Sequence, residues 1–215
     1  MKKKCVFVGE AGTGKTAILH RIMENNFLDN PESTSIPSNH SISYSYKGTP
    51  VKLELWDTIG QERFRSVNKL FYKGADICFL IYSIDIPESF TELKNYWVPT
   101  IQSLLGNNTA LCVVGNKIDL FDKQNIIEES EGKLFADSIN STFILVSAKL
   151  GFGFPDILNA GLESYCNYHN LSEPPEPSKD NGSGENEFHK NESTSSVKLD
   201  EKDFHQIREK VVCCL

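Results

Sequence analysis

Apolar residues gather in short runs at 4–8, 51–56, 77–84, 110–115 and 142–147, each of strand length and rich in Val, Ile, Leu, Phe and Cys. Between the later runs, apolar residues recur at helical spacing over 88–105, which follows Pro87, then over 128–139 and 155–168. Strand alternating with helix predicts an α/β chain with a mostly parallel, doubly wound sheet and helices on both faces. One run differs. Val51-Lys52-Leu53-Glu54-Leu55-Trp56 alternates apolar and polar residues, as a less buried strand does, and predicts an antiparallel partner over 41–46. Lys47-Gly48-Thr49-Pro50 would be the turn between them, making six strands in all. On the first helix Ile18, Leu19, Ile22 and Met23 share one face, which predicts core packing.

The pattern stops near Leu171. Ser172-Glu173-Pro174-Pro175-Glu176-Pro177 would end the last helix, and 178–196 is almost entirely Ser, Asn, Gly, Lys, Asp and Glu. Such a segment has too little apolar area to offset its ordering entropy. The expected organisation is one folded domain over 1–170 and a disordered tail over 171–215. As a coil, the tail would span on the order of 35 Å between Leu171 and Cys213.

Composition narrows the classes. A net charge of −7 argues against a nucleic-acid partner. No stretch approaches the roughly 18 apolar residues of a membrane span. Met1-Lys2-Lys3-Lys4 runs into the first strand with no signal-like apolar region, and Lys2 stands where myristoylation needs Gly. Cys5, Cys78 and Cys112 lie in apolar runs, where Cys acts as a small hydrophobe, and their spacing suits neither zinc nor a disulfide framework. A reducing cytosol and a monomer are the expectations.

The candidate chemistry starts at Gly9-Glu10-Ala11-Gly12-Thr13-Gly14-Lys15-Thr16, between a strand and a helix. This is the G-x-x-x-x-G-K-[ST] pattern in its proper context. Gly12 and Gly14 let successive N–H groups curl toward a phosphate, and Lys15 can reach the outer phosphates. The Thr16 hydroxyl can ligate Mg²⁺, and the helix N-terminus beginning near Ala17 adds its positive dipole end. Further along, Asp57-Thr58-Ile59-Gly60-Gln61 follows a strand; its carboxylate can hold Mg²⁺ through water, and the Gly60 N–H can meet a terminal phosphate. Asn116-Lys117-Ile118-Asp119 follows the next core strand, where the Asp119 carboxylate could accept the N1–H and 2-amino group of guanine. Ser147-Ala148-Lys149 follows the last strand, where a backbone N–H could reach guanine O6. Each island alone could be an ordinary polar loop. Their order, each just past a strand, is specific.

On these motifs residues 1–170 resemble the Ras superfamily of small GTPases. The chain looks most like a Rab, because Lys52-Leu53-Glu54-Leu55-Trp56, Arg63-Phe64-Arg65-Ser66-Val67 and Phe71-Tyr72-Lys73-Gly74-Ala75 match Rab segments. The space between Asp119 and Ser147 leaves no room for a Rho-type insert helix. The resemblance implies that the chain cycles between GTP and GDP with Mg²⁺. Phe27 would stack on guanine, Thr34 would close on Mg²⁺ and the γ-phosphate, and Gln61 would orient the attacking water, with Lys15 neutralising developing charge. It implies an exchange factor, an activating protein, effectors and slow intrinsic hydrolysis, since no arginine is evidently placed to act in cis.

The chain ends Val211-Val212-Cys213-Cys214-Leu215, which is not a CaaX box. Adjacent terminal cysteines alone could be a reactive pair or chance; beside a Rab-like domain they imply double geranylgeranylation. Two chains give stable anchoring, which matters because acidic residues outnumber basic ones in the tail. Val197-Lys198-Leu199 resembles the aliphatic element Rabs present to their escort protein or GDI, although three residues also arise by chance. The implied location is the cytoplasmic face of an endomembrane, with a soluble cytosolic pool.

Three departures from the family stand out. Ser33-Thr34-Ser35-Ile36-Pro37-Ser38-Asn39 replaces the usual S-T-I-G-V-D-F, keeping Thr34 but losing the hydrophobic effector residue. Ala11 stands where Ras has Gly, which Rabs tolerate. Ile59 replaces Ala, and overpacking of that size typically costs about 1–3 kcal/mol, enough to disfavour closure of the second switch. Ile59 therefore supports an alternative, a membrane-tethered scaffold that binds GTP or GDP with little hydrolysis. An ATP-using kinase is disfavoured by Asp119.

Overall fold

A computed structural model describes residues 2–27, 38–58, 71–106, 109–154 and 156–171. Among them a six-stranded sheet forms from β1 (Lys2–Val8), β2 (Ser38–Tyr46), β3 (Thr49–Asp57), β4 (Ile77–Ser83), β5 (Ala110–Asn116) and β6 (Thr142–Leu145). The order is β2-β3-β1-β4-β5-β6, and only β2 runs antiparallel, against β3. Parallel pairing gathers the C-terminal ends of β1, β3, β5 and β6 along one edge, where doubly wound sheets bind ligands.

The helices are α1 (Lys15–Glu24), α2 (Pro87–Glu92), α3 (Val98–Leu105), α4 (Glu129–Ser138) and α5 (Asp156–His169). Side-chain alternation divides the core. Cys5 and Phe7 face one cluster with Ile18, Phe79 and Leu162; Val6 and Val8 face another with Leu80, Tyr82 and Trp97. Phe7 stacks on Phe79 with ring centroids 4.8 Å apart. Cys5, Cys78 and Cys112 are buried and free, and burial pushes the Cys112 thiol up to about 12.

Three expectations need correction. The hairpin turn is Lys47-Gly48 alone; Thr49 and Pro50 already pair with Tyr46 and Ser45. Both turn residues have positive φ, 48° and 85°, as a two-residue turn matched to strand twist requires. Met23, in the last turn of α1, is 37% exposed, whereas Ile18 and Leu19 nearer its start are buried. The helical stretch over 88–105 is not uniform: a π-helical turn, Leu93–Trp97, joins α2 to α3. Pro99 has no N–H to donate and its ring crowds the preceding turn, and the Val98 N–H reaches back to the Leu93 carbonyl.

Candidate phosphate and base site

The phosphate loop runs from the end of β1 into α1. Gly12 and Gly14 adopt φ of 77° and 92°, so both positions need glycine. A Cβ on Gly14 would also strike the Asn116 side-chain amide. Lys15 is buried, and its Nζ donates to the Gly9 carbonyl at 2.9 Å and the Glu10 carbonyl at 2.8 Å. Burial lowers its pKa to about 8, against the opposing pull of Asp57 and Glu10. Thr13 is fully buried, its hydroxyl donating to the Glu10 carbonyl at 2.9 Å. Ala17 packs into the core beneath the loop.

The Thr16 hydroxyl donates to Asp57 Oδ2 at 2.6 Å, bringing the loop and the end of β3 together. Thr58 then donates to the Phe7 carbonyl at 2.6 Å, fixing the chain just past Asp57. A hydroxyl and a carboxylate are hard oxygen donors and suit Mg²⁺, which commonly takes few protein ligands beside phosphates and water. Among the described residues no cluster of three or more His, Cys, Asp or Glu forms an all-protein metal cage.

Asn116 joins this loop to the next. Its Nδ2 donates to the Thr13 carbonyl at 2.9 Å, and its Oδ1 accepts the Ala148 N–H at 3.3 Å. Lys117 takes a left-handed backbone (φ 67°), with its Nζ 3.7 Å from Asp85. Asp119 accepts the Ser147 hydroxyl at 2.5 Å, and Ser147 Oγ accepts the Leu150 N–H at 3.1 Å. Phe27 is half-buried against the core at the far end of α1.

Two supports were not anticipated. The Trp97 indole N–H donates to Glu10 Oε1 at 2.8 Å, so the π-helical turn braces the phosphate loop. Arg21 donates from Nε to the Ala148 carbonyl, from Nη2 to the Lys149 carbonyl and from Nη1 to the Asn25 carbonyl, each at 2.9 Å. The one prior sign of the first was Pro99 inside a helical pattern; Arg21 carried none. Thr34, Ile59, Gly60, Gln61, Cys213 and Cys214 lie outside the described residues, as do Ser33–Pro37 and the tail beyond Leu171.

A Gly-rich loop opening α1, at the C-terminal edge of a mostly parallel sheet, defines a doubly wound nucleotide-binding protein. The sequence profile of the Ras family matches residues 4–165. The Ras-related protein Rab-21 of Homo sapiens is 36% identical over 154 residues, covering 72% of this chain and 68% of that one. Rab-21 of the sponge Geodia cydonium is 33% identical over 157 residues, covering 73% and 68%. Rab5 of Nicotiana tabacum is 34% identical over 157 residues, covering 73% and 78%. The chain belongs to the Ras family and, within it, to the Rab small GTPases. It is a GTP-binding protein of that family, with GTP hydrolase activity and a role in vesicle traffic in the general sense.

Proposed function

We infer that the chain is a guanine-nucleotide switch that hydrolyses GTP slowly and works from a prenyl anchor on the cytoplasmic face of an endomembrane. The observation that supports this best is Asn116, which bonds both the phosphate loop at Thr13 and the loop carrying Ala148. A site linked this way would sense base and phosphate together.

In this reading Gly12, Thr13, Gly14, Lys15, Thr16 and Ala17 cradle the phosphates. Asn116, Lys117, Asp119, Ser147, Ala148 and Lys149 enclose guanine, with Phe27 stacked on it. Thr16, Thr34 and Asp57 would hold Mg²⁺, which when bound supplies charge neutralisation between the phosphates. Gln61 orients the water, Lys15 stabilises charge developing on the phosphate oxygens, and Thr34 and Gly60 sense the γ-phosphate. Residues 1–170 form the domain, and 171–215 tether it through lipid on Cys213 and Cys214. An exchange factor, an activating protein, escort protein or GDI, and effectors complete the cycle.

Single-turnover GTP hydrolysis tests the reading. The expected result is slow turnover by the wild-type protein and up to about tenfold faster turnover by Ile59→Ala, from relief of overpacking. If neither turns over, even with an activating protein, the scaffold reading replaces it.

A further inference from the structure

We propose that Arg21 is a positioning residue for guanine specificity, aiming the Lys149 main-chain N–H that would grip the O6 edge of the base. The proposal rests on the guanine reading of Asp119 and Ala148. Arg21 is half-buried on the flank of α1, and its guanidinium donates to three carbonyls. Two of those carbonyls are consecutive, Ala148 and Lys149, and lie 127 and 128 residues along the chain.

A trans peptide is planar, so its C=O and N–H point in opposite directions. Drawing the Ala148 carbonyl toward α1 turns the Lys149 N–H away from α1. Drawing the Lys149 carbonyl the same way turns the Leu150 N–H away too, and that group lands on Ser147 Oγ at 3.1 Å. The Ala148 N–H faces Asn116 Oδ1, and its peptide is held separately, the Ser147 carbonyl accepting the Gly151 N–H at 2.8 Å. The Ala148 and Lys149 carbonyls therefore face the arginine, and the Lys149 N–H is turned to the opposite side. Planar, forked donors suit two adjacent carbonyls, whereas an ammonium is a point charge that would hold one.

The third bond, to the Asn25 carbonyl, reaches the left-handed cap of α1 (φ 50°), two residues before Phe27. One side chain thus ties the phosphate-binding helix to the loop under O6 and to the segment leading to the stacking residue. A purely structural strut would weaken every nucleotide alike. A device that aims a donor at O6 has a narrower signature.

The test uses full-length protein with GDP, 6-thio-GDP and IDP as probes. Sulfur at position 6 is a poor acceptor, while IDP lacks only the 2-amino group that Asp119 would read. Arg21→Met should weaken GDP about tenfold, equivalent to losing roughly one good hydrogen bond. It should shrink the GDP over 6-thio-GDP preference by a similar factor and leave the GDP over IDP preference unchanged. Arg21→Lys should fall between, and it carries the same cycle if Arg21→Met does not fold. Equal weakening of all three nucleotides, or no change, overturns the proposal. Wild-type protein that fails to prefer GDP over ADP overturns the guanine reading itself, a separate outcome.

Discussion

At the phosphate end of the site, one consecutive stretch, Gly9 to Thr16, provides the cradle: Lys15 Nζ rests on the Gly9 and Glu10 carbonyls, and Asn116, Trp97 and Asp57 brace the stretch from outside. At the base end, Asn116, Asp119, Ser147 and Ala148 come from the end of β5 and from the segments after β5 and β6, which meet only in the folded chain. The first end depends on local backbone geometry, on glycines at φ 77° and 92°. The second depends on long-range bonds, Ser147 to Asp119 and Arg21 to Ala148 and Lys149. The phosphate end should therefore fail for every nucleotide at once, and the base end selectively.

The largest effect expected is at Lys15. Lys15→Met keeps the buried methylene stem but removes the charge that would meet the phosphates. Affinity for GDP and GTP should fall about a hundredfold or more, the scale of charge-assisted hydrogen bonds lost in a buried site. IDP should fall by the same factor. Equilibrium titration with fluorescent analogues reads this, and a loss that depends on the base would break the division between the two ends.

That division also marks what the amino-acid sequence revealed. The phosphate loop was legible because its constraint is local: glycine where φ is positive, then Lys and Thr at the start of a helix. The strands were legible because apolar runs such as Cys5 to Val8 supply both core faces, Val6 and Val8 on one and Cys5 and Phe7 on the other, whereas their order in the sheet was not. Residues whose role lies in a partner far along the chain were not. Trp97 is 87 residues from Glu10, and neither the residues of the π-helical turn nor Pro99 just after it announced where its indole would point. Met23 shows another limit, since helical periodicity records which face is apolar but not how much of that face the fold covers. Thr34, Gly60 and Gln61 rest on family resemblance, as they lie outside the described residues.

Asp119→Asn examines the base end with less disturbance. The amide oxygen can still accept the Ser147 hydroxyl that Asp119 accepts at 2.5 Å. The carboxylate's grip on two donors of guanine is lost, while the amide NH₂ can donate to the 2-oxo group of xanthine. GDP should weaken about tenfold to a hundredfold and XDP should strengthen, measured by competition against one fluorescent nucleotide. Unchanged base preference would remove Asp119 from the base site and revive the kinase reading.

The smallest effect is a proton. Burial holds the Lys15 pKa near 8, below the ordinary 10.5, in the nucleotide-free chain. A lysine lowered on folding binds fewer protons in the folded than in the unfolded state between those values. Stability of the free chain should therefore rise with pH across that window. An arriving phosphate favours the charged amine and raises its pKa, so binding takes up a proton and affinity should fall as pH climbs above about 8. Calorimetric GDP titrations at pH 8.5, in two buffers of different ionisation enthalpy, should register uptake of a large fraction of a proton. Uptake should shrink toward zero at pH 7, where Lys15 is already charged. The same uptake with GDP and IDP would place the titrating group at the phosphate end, whereas uptake that changes with the base, or none at pH 8.5, would show that the two ends are not separable in this way.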